Sequence, residues 1–367
     1  MVFKIFLFVL FIIFLELLLR LIKYRRSGNW ELFALHLDRK KQYLSSFEPH
    51  TYLGFTKSKN VRNKRFITNN AGFVGSKDVN LAPSEDLDTV RIIVCGCSTV
   101  EQNDLDMEPE FDRELTWPKV MEKNLNKKAQ VENYEVINAG CSGYTILEST
   151  IHLLTKCVPF KPNYAILYQG INDAWHIQPA PDFVPDYTHA RQPPVFPKSN
   201  GLLSFMPNVR ISFVYQYFLL YLSKLFEKPP GLLNYISRNY SFNMTFDQIS
   251  AAAKTYEDYL RSFCHISIGH NITPILIPWI YSPEMVEKPT NIKNWDKKKF
   301  IELLEMNNES IRQVAKEIDG AILLELTDYD KDNFRKNDWI HFSKRGLNKI
   351  GSDAAIEFLK IRKTNNI

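Results

Sequence analysis

A serine, an aspartate and a histidine lie where they could act together in acyl transfer. Ser98 follows a short apolar run at 90–95, and Asp338 precedes His341 by three residues near the end of the chain. An aspartate can orient an imidazole, and the imidazole can then take the proton of a serine hydroxyl and make it a nucleophile. We therefore predict that Ser98 is a nucleophile activated by the Asp338/His341 pair.

Hydrogen-bond donors that could stabilise negative charge follow two other apolar runs. Gly140 comes after a run at 134–138, and Asn172 comes after a run at 164–168. No side chain obstructs a glycine N–H, and an asparagine amide offers further donors. Together with the N–H of Ser98, these groups would form an oxyanion hole, in which loss of one donor typically costs about 100- to 1,000-fold in turnover.

The elements that must position these residues alternate from residue 90 onward. Buried strands are predicted at 90–95, 134–138, 164–168, 272–277 and 321–326. Helices are predicted at 117–125, 146–154, 249–267, 297–318 and 346–359. Such alternation indicates a parallel sheet covered by helices on both faces, with ligands bound beyond the carboxyl ends of the strands. Taken singly, each candidate residue has a structural interpretation, such as a helix N-cap for Ser98. Their common position at one sheet edge favours the functional interpretation.

The N terminus differs from the rest of the chain in composition. Residues 5–22 are apolar except for Glu16 and Arg20, which are four apart and can pair on one helix face. At 1.5 Å per residue this run would reach about 27 Å, enough for the hydrocarbon core of a bilayer. No small-residue cleavage site follows it, which argues against a removed signal peptide. We predict a single membrane anchor at 1–26, with an interfacial helix as the alternative, and leave the side of the membrane open.

The remainder of the chain divides into three parts. Residues 27–88 are polar and irregular and indicate an N-terminal extension or linker. The α/β domain is predicted at 89–362, with an insertion at about 176–248 that is rich first in proline and then in aromatic and aliphatic residues. This insertion could be a lid, a membrane-facing surface or a plain packing helix.

The composition argues against several classes of function. The chain has 367 residues, 45% of them hydrophobic and 24% charged, which is typical of a globular protein. Its net charge is +5, but the lysines are scattered and form no basic stripe, so we predict no nucleic-acid partner. The five cysteines lack zinc-site spacing, and no Gly-x-Gly-x-x-Gly follows the first strand. We therefore predict no metal and no cofactor.

Taken in order, the motifs resemble those of a known enzyme family. The four signature blocks of the SGNH/GDSL hydrolase superfamily are similar to Gly96-Cys97-Ser98, Gly140, Gly170-Ile171-Asn172-Asp173 and Asp338-Trp339-Ile340-His341. The similarity covers about residues 90–360, and the apolar N terminus resembles membrane-anchored bacterial members. The resemblance implies a flavodoxin-like three-layer α/β/α fold with about five parallel strands and metal-free cleavage of esters. It also implies a nucleophile at Ser98, a base at His341 with Asp338 as its partner, and oxyanion donors at Gly140 and Asn172.

One position departs from the family's pattern, because Cys97 stands where an aspartate is usual. That aspartate is not the triad acid, so we expect activity to be retained. The Cys97 side chain should alternate away from that of Ser98, and its thiol could react with thiol reagents.

Three function classes follow. The first is hydrolysis of an acetyl or short acyl ester on a carbohydrate or lipid, and the second is acyl transfer by the same residues. The third is an inactive, membrane-tethered scaffold that binds a glycan or a protein partner. The complete set of Ser98, Gly140, Asn172, Asp338 and His341 favours an enzyme. Its expected partners are an acylated carbohydrate or lipid and a membrane, and its oligomeric state stays open.

Overall fold

The computed structural model of the chain contains an α/β domain and an N-terminal helix. It describes residues 2–27, 46–62, 67–81, 89–102, 114–128, 133–176, 183–188, 212, 214–215, 240–241, 245–287, 292–293, 296–336 and 338–365. Most of the predicted insertion at 176–248, and residues 28–45 of the predicted extension, lie outside the described residues.

The predicted strands and helices occur in the predicted order, with shorter elements before and between them. The strands are β1 (Phe47–His50), β2 (Gly54–Lys57), β3 (Thr89–Gly96), β4 (Asn133–Gly140), β5 (Tyr164–Tyr168), β6 (Tyr240–Ser241), β7 (Thr273–Ile277), β8 (Ile292–Lys293), β9 (Ile322–Leu323), β10 (Phe334–Arg335) and β11 (Asp338–Phe342). The helices are α1 (Val2–Ser27), α2 (Ser98–Glu101), α3 (Trp117–Lys128), α4 (Ile146–His152), α5 (Ile171–His176), α6 (Phe246–Gly269), α7 (Lys297–Glu317) and α8 (Lys344–Asn365). The five predicted sheet strands are confirmed, although β9 is shorter than expected.

A parallel sheet of five strands forms the centre of the domain, in the order β4-β3-β5-β7-β9. The first of these strands in the chain, β3, pairs with both β4 and β5, and Gly96 at its end lies opposite Gly140 and Tyr168. The strand order therefore reverses at β3, as it does in flavodoxin-like sheets. Ligands of such sheets bind at this reversal, beyond the carboxyl ends of the strands.

Helices cover both faces of the sheet. Ile92 and Val94 of β3 are fully buried in one cluster with side chains of α3 and α8. Ile93 and Cys95 are fully buried in another, with side chains of α4 and α6. Successive side chains of a strand point to opposite faces, so a strand covered on both faces is apolar at nearly every position, with the buried, ion-paired Arg91 as the exception in β3. The apolar run at 90–95 has this cause, and the three-layer α/β/α architecture is confirmed.

The described part of the N-terminal extension packs on the domain. Phe55 of the β1–β2 hairpin is fully buried in a cluster with Tyr144, whose hydroxyl donates to the Phe55 carbonyl at 2.7 Å. The Val74 N–H donates to the Asn138 carbonyl at 3.0 Å, which adds an antiparallel bridge to the edge strand β4. Residues predicted as an irregular linker are thus, where they are described, part of the folded domain. Their short strands and mixed polarity hide this in the sequence.

The N-terminal helix α1 carries exposed apolar side chains along most of its length. The Glu16 and Arg20 side chains pair at 2.8 Å, as their spacing indicates. The Glu16 carboxylate also accepts from the Ser212 hydroxyl at 3.1 Å and from the Val214 N–H at 2.9 Å. Among the residues that the structure describes, no helix is both long enough and apolar enough to cross a membrane.

Candidate active site

Ser98 is the first residue of α2, at the carboxyl end of the inner strand β3. The turn from strand to helix needs glycine at position 96, because a Cβ there would lie 2.3 Å from the Tyr168 carbonyl oxygen. Ser98 is half-buried. Its N–H is one of the first in the helix, and such groups have no acceptor within the helix. The local fold thus presents a hydroxyl and a backbone donor at the same point.

The structure brings His341 and Asp338 to Ser98 from 240 or more positions along the chain. His341 Nε2 lies 2.9 Å from Ser98 Oγ, and His341 Nδ1 lies 2.7 Å from Asp338 Oδ2. Since a carboxylate accepts at Nδ1, that nitrogen carries the proton, and Nε2 is left to accept one from Ser98. These are the contacts of a nucleophile, a base and an orienting acid.

Asp338 and His341 both lie on the strand β11. The strand β11 pairs antiparallel with β10. The other carboxylate oxygen of Asp338 accepts the N–H groups of Ile340 at 3.0 Å and His341 at 3.2 Å. Both oxygens of the carboxylate are therefore engaged, and its rotation is restricted.

Hydrogen bonds keep the Asp338 carboxylate ionised. Burial raises its pKa, but the hydrogen bond and the charge of His341 and the two backbone N–H groups lower it, to about 2 from the usual 3.8. A carboxyl whose pKa is lowered on folding stabilises the fold above its ordinary pKa, and this contribution is lost as the pH falls toward 2. Asp338 is therefore a negative partner for His341 throughout the neutral range.

Asn172 follows β5, the neighbour of β3, and is half-buried at the same sheet edge as Ser98. Its Nδ2 donates to the Tyr144 carbonyl at 2.8 Å. An amide nitrogen carries two hydrogens, so this bond fixes the side chain and leaves a second N–H for a ligand. The position agrees with the predicted role as an oxyanion donor.

Gly140 does not present its N–H to the site. This N–H donates to the Asn138 side-chain oxygen at 3.0 Å, and the residue is buried. A Cβ at position 140 would lie 2.3 Å from the Glu101 nitrogen, so glycine is needed for β4 to pack against α2. The predicted role of Gly140 as an oxyanion donor is therefore not supported by its geometry. In a sequence, a glycine at the end of a strand is equally consistent with a role in packing or in catalysis. In this structure Gly140 has a role in packing.

A second glycine of the same loop, Gly143, is half-buried and has a positive φ of 83°. On one side of it, the Ser142 N–H donates to the Glu101 carboxylate, which belongs to the helix of Ser98. On the other side, the Tyr144 carbonyl holds the Asn172 amide. Gly143 thus lies between the attachments of this loop to two site residues. The available sequence signal was the Gly140-x-x-Gly143 spacing, which offers two glycines to choose from.

Cys97 is fully buried in the core cluster on one face of the sheet. Its Sγ lies 3.4 Å from the Thr99 hydroxyl oxygen, and burial raises the pKa of its thiol. A buried thiol held protonated is a poor nucleophile. The thiol also hydrogen-bonds the Ser98 side chain, so the expected alternation away from Ser98 is wrong. The burial of the thiol does not support reactivity toward thiol reagents. Within the described residues, no cluster of His, Cys, Asp or Glu could hold a metal ion.

Asp173 follows Asn172 in α5 and is fully buried. One of its oxygens accepts the Ile146 N–H at 3.0 Å and the Tyr187 hydroxyl at 3.2 Å, and the other accepts from the Gln169 amide at 3.0 Å. Burial raises the pKa of this carboxyl to about 7, although its hydrogen bonds oppose the shift. Asp173 therefore ties α4 and β5 together as a carboxyl that gains or loses its proton near neutrality.

We expect the contribution of Asp173 to the free energy of unfolding to fall as the pH rises from about 4 to about 7. In this range the folded protein retains a proton that the unfolded chain, with its ordinary pKa of 3.8, has released. The Asp173→Asn variant keeps an oxygen for the Ile146 N–H but has no such proton, so it should lack this component. Thermal unfolding of both proteins across this range measures the difference. Parallel pH profiles would contradict a carboxyl that is protonated in the fold.

Comparisons with known proteins give no match in sequence and several in structure. No protein-family model matches the chain, and no curated protein is similar to it in sequence. A lipase/acylhydrolase from Enterococcus faecalis is 14% identical, with 74% of this chain and 96% of that chain covered and a TM-score of 0.41. A psychrotrophic esterase from Pseudoalteromonas is 13% identical, with 76% and 99% covered and a TM-score of 0.40. An acetyl xylan esterase from Geobacillus stearothermophilus is 15% identical, with 74% and 93% covered and a TM-score of 0.40. At this level of sequence identity, function is inferred from the geometry of the site.

Proposed function

We propose that this chain is a serine esterase of the SGNH/GDSL type. The observation that carries the proposal is the hydrogen-bonded series Ser98 Oγ, His341 Nε2, His341 Nδ1 and Asp338 Oδ2, with distances of 2.9 and 2.7 Å between the three side chains. A serine, a histidine and an aspartate in this relation activate a hydroxyl for attack on a carbonyl. An inactive scaffold would have no need of this alignment, which therefore favours the enzyme over the scaffold.

The geometry supports a two-stage reaction. Ser98 Oγ attacks the ester carbonyl carbon while His341 Nε2 takes the hydroxyl proton, and the carbonyl oxygen becomes an oxyanion. His341 then returns the proton to the leaving alcohol as the C–O bond breaks, which leaves an acyl group on Ser98. Water attacks this acyl group with His341 again as base. His341 then passes the proton to Ser98 Oγ as the bond between Oγ and the acyl carbon breaks, and the acid is released. Asp338 stabilises the positive imidazole that forms in each stage.

The Ser98 N–H and the Asn172 amide are the proposed donors to the oxyanion. They lie at the ends of neighbouring strands, and the bond of Asn172 to the Tyr144 carbonyl orients its amide before substrate arrives. We place Gly143 in the role that Gly140 was predicted to fill, since its loop is attached to both α2 and Asn172. Donors held in place before the reaction stabilise the developing charge without having to reorganise.

An acetyl or other short acyl ester of a carbohydrate or lipid is the proposed substrate. Trp175 and Trp339 lie on the chain close to Asn172 and His341, and their rings pack with centroids 6.2 Å apart. Phe300 packs against both rings, so the two signature segments share one aromatic wall. Trp175 is half-buried, and a tryptophan ring of this kind has an apolar face for an acyl group or a sugar ring.

Release of p-nitrophenol from its esters, and of acetate from an O-acetylated oligosaccharide, measures the proposed activity. We expect the full chain to hydrolyse p-nitrophenyl acetate and an O-acetylated oligosaccharide, and to cleave p-nitrophenyl palmitate more slowly. The His341→Ala variant is the matched control and should cleave none of them above background. A preference for palmitate would contradict the short-acyl proposal, and equal rates in the variant would contradict the mechanism.

We also propose that α1 attaches the enzyme to a membrane. Phe8, Phe11 and Phe14 are 65%, 57% and 60% exposed on this helix. Removing a large apolar side chain from water contributes about 1.5–3 kcal/mol, so an apolar phase would favour these residues. Flotation with lipid vesicles should carry the full chain and leave behind a chain without residues 1–26. Equal flotation of both would contradict attachment through α1.

A further inference from the structure

The helix that carries Ser98 is too short to hold its own position. It consists of Ser98–Glu101, a single turn. One turn fixes several residues for very few hydrogen bonds and is unstable in isolation. The place of Ser98 relative to His341 must therefore be set by groups that bind α2 from outside.

Gln102 closes this helix and binds its neighbours on both sides. Its backbone N–H donates to the Ser98 carbonyl at 2.7 Å. Its side-chain Nε2 donates to the Phe342 carbonyl at 3.1 Å, and Phe342 directly follows His341. One residue thus connects the nucleophile's own carbonyl to the strand of the base, 240 positions away in the chain.

The Phe342 carbonyl is a fixed point on β11. It also accepts from Arg335 Nε of the neighbouring strand at 3.2 Å. The Phe342 ring is buried and stacks on Phe334, with centroids 5.4 Å apart. A hydrogen bond to this carbonyl therefore ties α2 to a part of the fold that cannot easily shift.

The conformation and burial of Gln102 agree with a role for its side chain. The residue is 4% exposed and adopts the left-handed conformation, with φ 55° and ψ 40°. Glycine and asparagine are more usual there, but glycine has no side-chain donor and asparagine is one methylene shorter than glutamine. The Gln102 Oε1 atom is buried with no hydrogen-bond partner in the described structure. The contact of the Gln102 side chain with β11 is therefore made by the amide nitrogen as a donor.

We propose that Gln102 is a positioning residue that sets the separation of Ser98 Oγ and His341 Nε2. This inference rests on the proposed esterase function. Reactive groups held within about 3–3.5 Å react efficiently, and a misplacement of about 1 Å can cost about 100-fold in rate. Gln102 touches neither substrate nor the reacting atoms, so its effect passes through the two residues that it connects.

Two variants of nearly the same size test this role. Gln102→Met removes the donor and keeps the length of the side chain. Gln102→Glu places two acceptor oxygens near the Phe342 carbonyl when ionised, but regains a donor when its carboxyl is protonated. Asn126→Ala is the control, because Asn126 makes comparable bonds to Glu122 and Tyr134 at the amino end of β4, far from the site.

The measurements are kcat and KM for p-nitrophenyl acetate, the rate of fluorophosphonate labelling and thermal unfolding, all on the full chain. We expect kcat of Gln102→Met to fall about 10- to 100-fold with KM changed less than about twofold, and labelling to slow by the same factor. The activity of Gln102→Glu relative to wild type should rise as the pH falls, because protonation restores the donor. Asn126→Ala should keep the kcat of wild type.

Two results would overturn the inference while leaving the esterase intact. One is a folded Gln102→Met protein with kcat within about twofold of wild type. The other is a low activity of Gln102→Glu whose ratio to wild type is the same at every pH, as a purely structural defect would give. Wild type that neither cleaves the ester nor takes the label would instead overturn the proposed function, and this inference with it.

Discussion

Replacing Ser98 with alanine is expected to lower kcat for a short acyl ester by about 10⁶-fold, as loss of a triad nucleophile does elsewhere. The reason is that the hydroxyl at 2.9 Å from His341 Nε2 forms the bond to the acyl group. The fold should survive, because Ser98 is half-buried and the backbone bond from Gln102 to its carbonyl does not involve the hydroxyl. Steady-state kinetics and thermal unfolding of both proteins measure the two halves of this expectation.

The double variant Ser98→Ala/His341→Ala provides the internal check. Members of a triad act as a unit, so removing both residues should cost little more than removing Ser98 alone. Cys97→Ala is the comparison variant, since its thiol is buried and held protonated and so should not replace Ser98 as the nucleophile. Turnover by Ser98→Ala at the wild-type rate would contradict the assignment of the nucleophile.

Replacing Asp338 with asparagine is expected to lower kcat by about 10⁴-fold, which is steep but less complete. An asparagine oxygen can still accept the N–H groups of Ile340 and His341, so the strand should keep its shape. Its NH₂ group, however, would face His341 Nδ1 and favour the tautomer with the proton on Nε2. That nitrogen could then no longer take the proton of Ser98.

Comparison with Asp338→Ala distinguishes two roles of Asp338, which are to orient the His341 ring and to hold the backbone of β11. Asp338→Ala removes both the contact to Nδ1 and the two backbone contacts, so it should also lower the unfolding temperature. Asp338→Asn should lower kcat while leaving that temperature close to the wild-type value. A kcat for Asp338→Asn within about tenfold of wild type would show that the carboxylate is not needed to set the tautomer.

The part of this molecule that sequence predicts well is the part governed by short-range patterns. A strand covered on both faces is apolar at nearly every position, and this pattern marked β3 and β5 closely. In a parallel sheet the carboxyl ends of the strands lie at one edge, where ligands bind, and this rule predicted that Ser98 and Asn172 lie at the same edge. The contact between Asp338 and His341 could be predicted because the two residues are only three positions apart in the chain.

What the sequence could not show depends on contacts between distant segments. The sequence alone does not distinguish the roles of Gly140 and Gly143. Only the close approach of α2 to β4 shows that Gly140 is needed for packing. The bond between Gln102 and Phe342 joins positions 240 residues apart and has no local pattern. The packing of Phe55 on Tyr144 likewise could not be predicted, because Phe55 lies in a segment whose composition is polar overall.

Covalent labelling of the full chain with a fluorophosphonate tests most directly whether Ser98 is an activated nucleophile. Intact mass and peptide mapping would compare wild type with Ser98→Ala and Cys97→Ala. We expect one label on the Ser98 peptide of wild type and of Cys97→Ala, and none on Ser98→Ala. A folded wild-type protein that takes no label, or a Ser98→Ala protein that is still labelled at the site, would contradict a serine hydrolase built on Ser98.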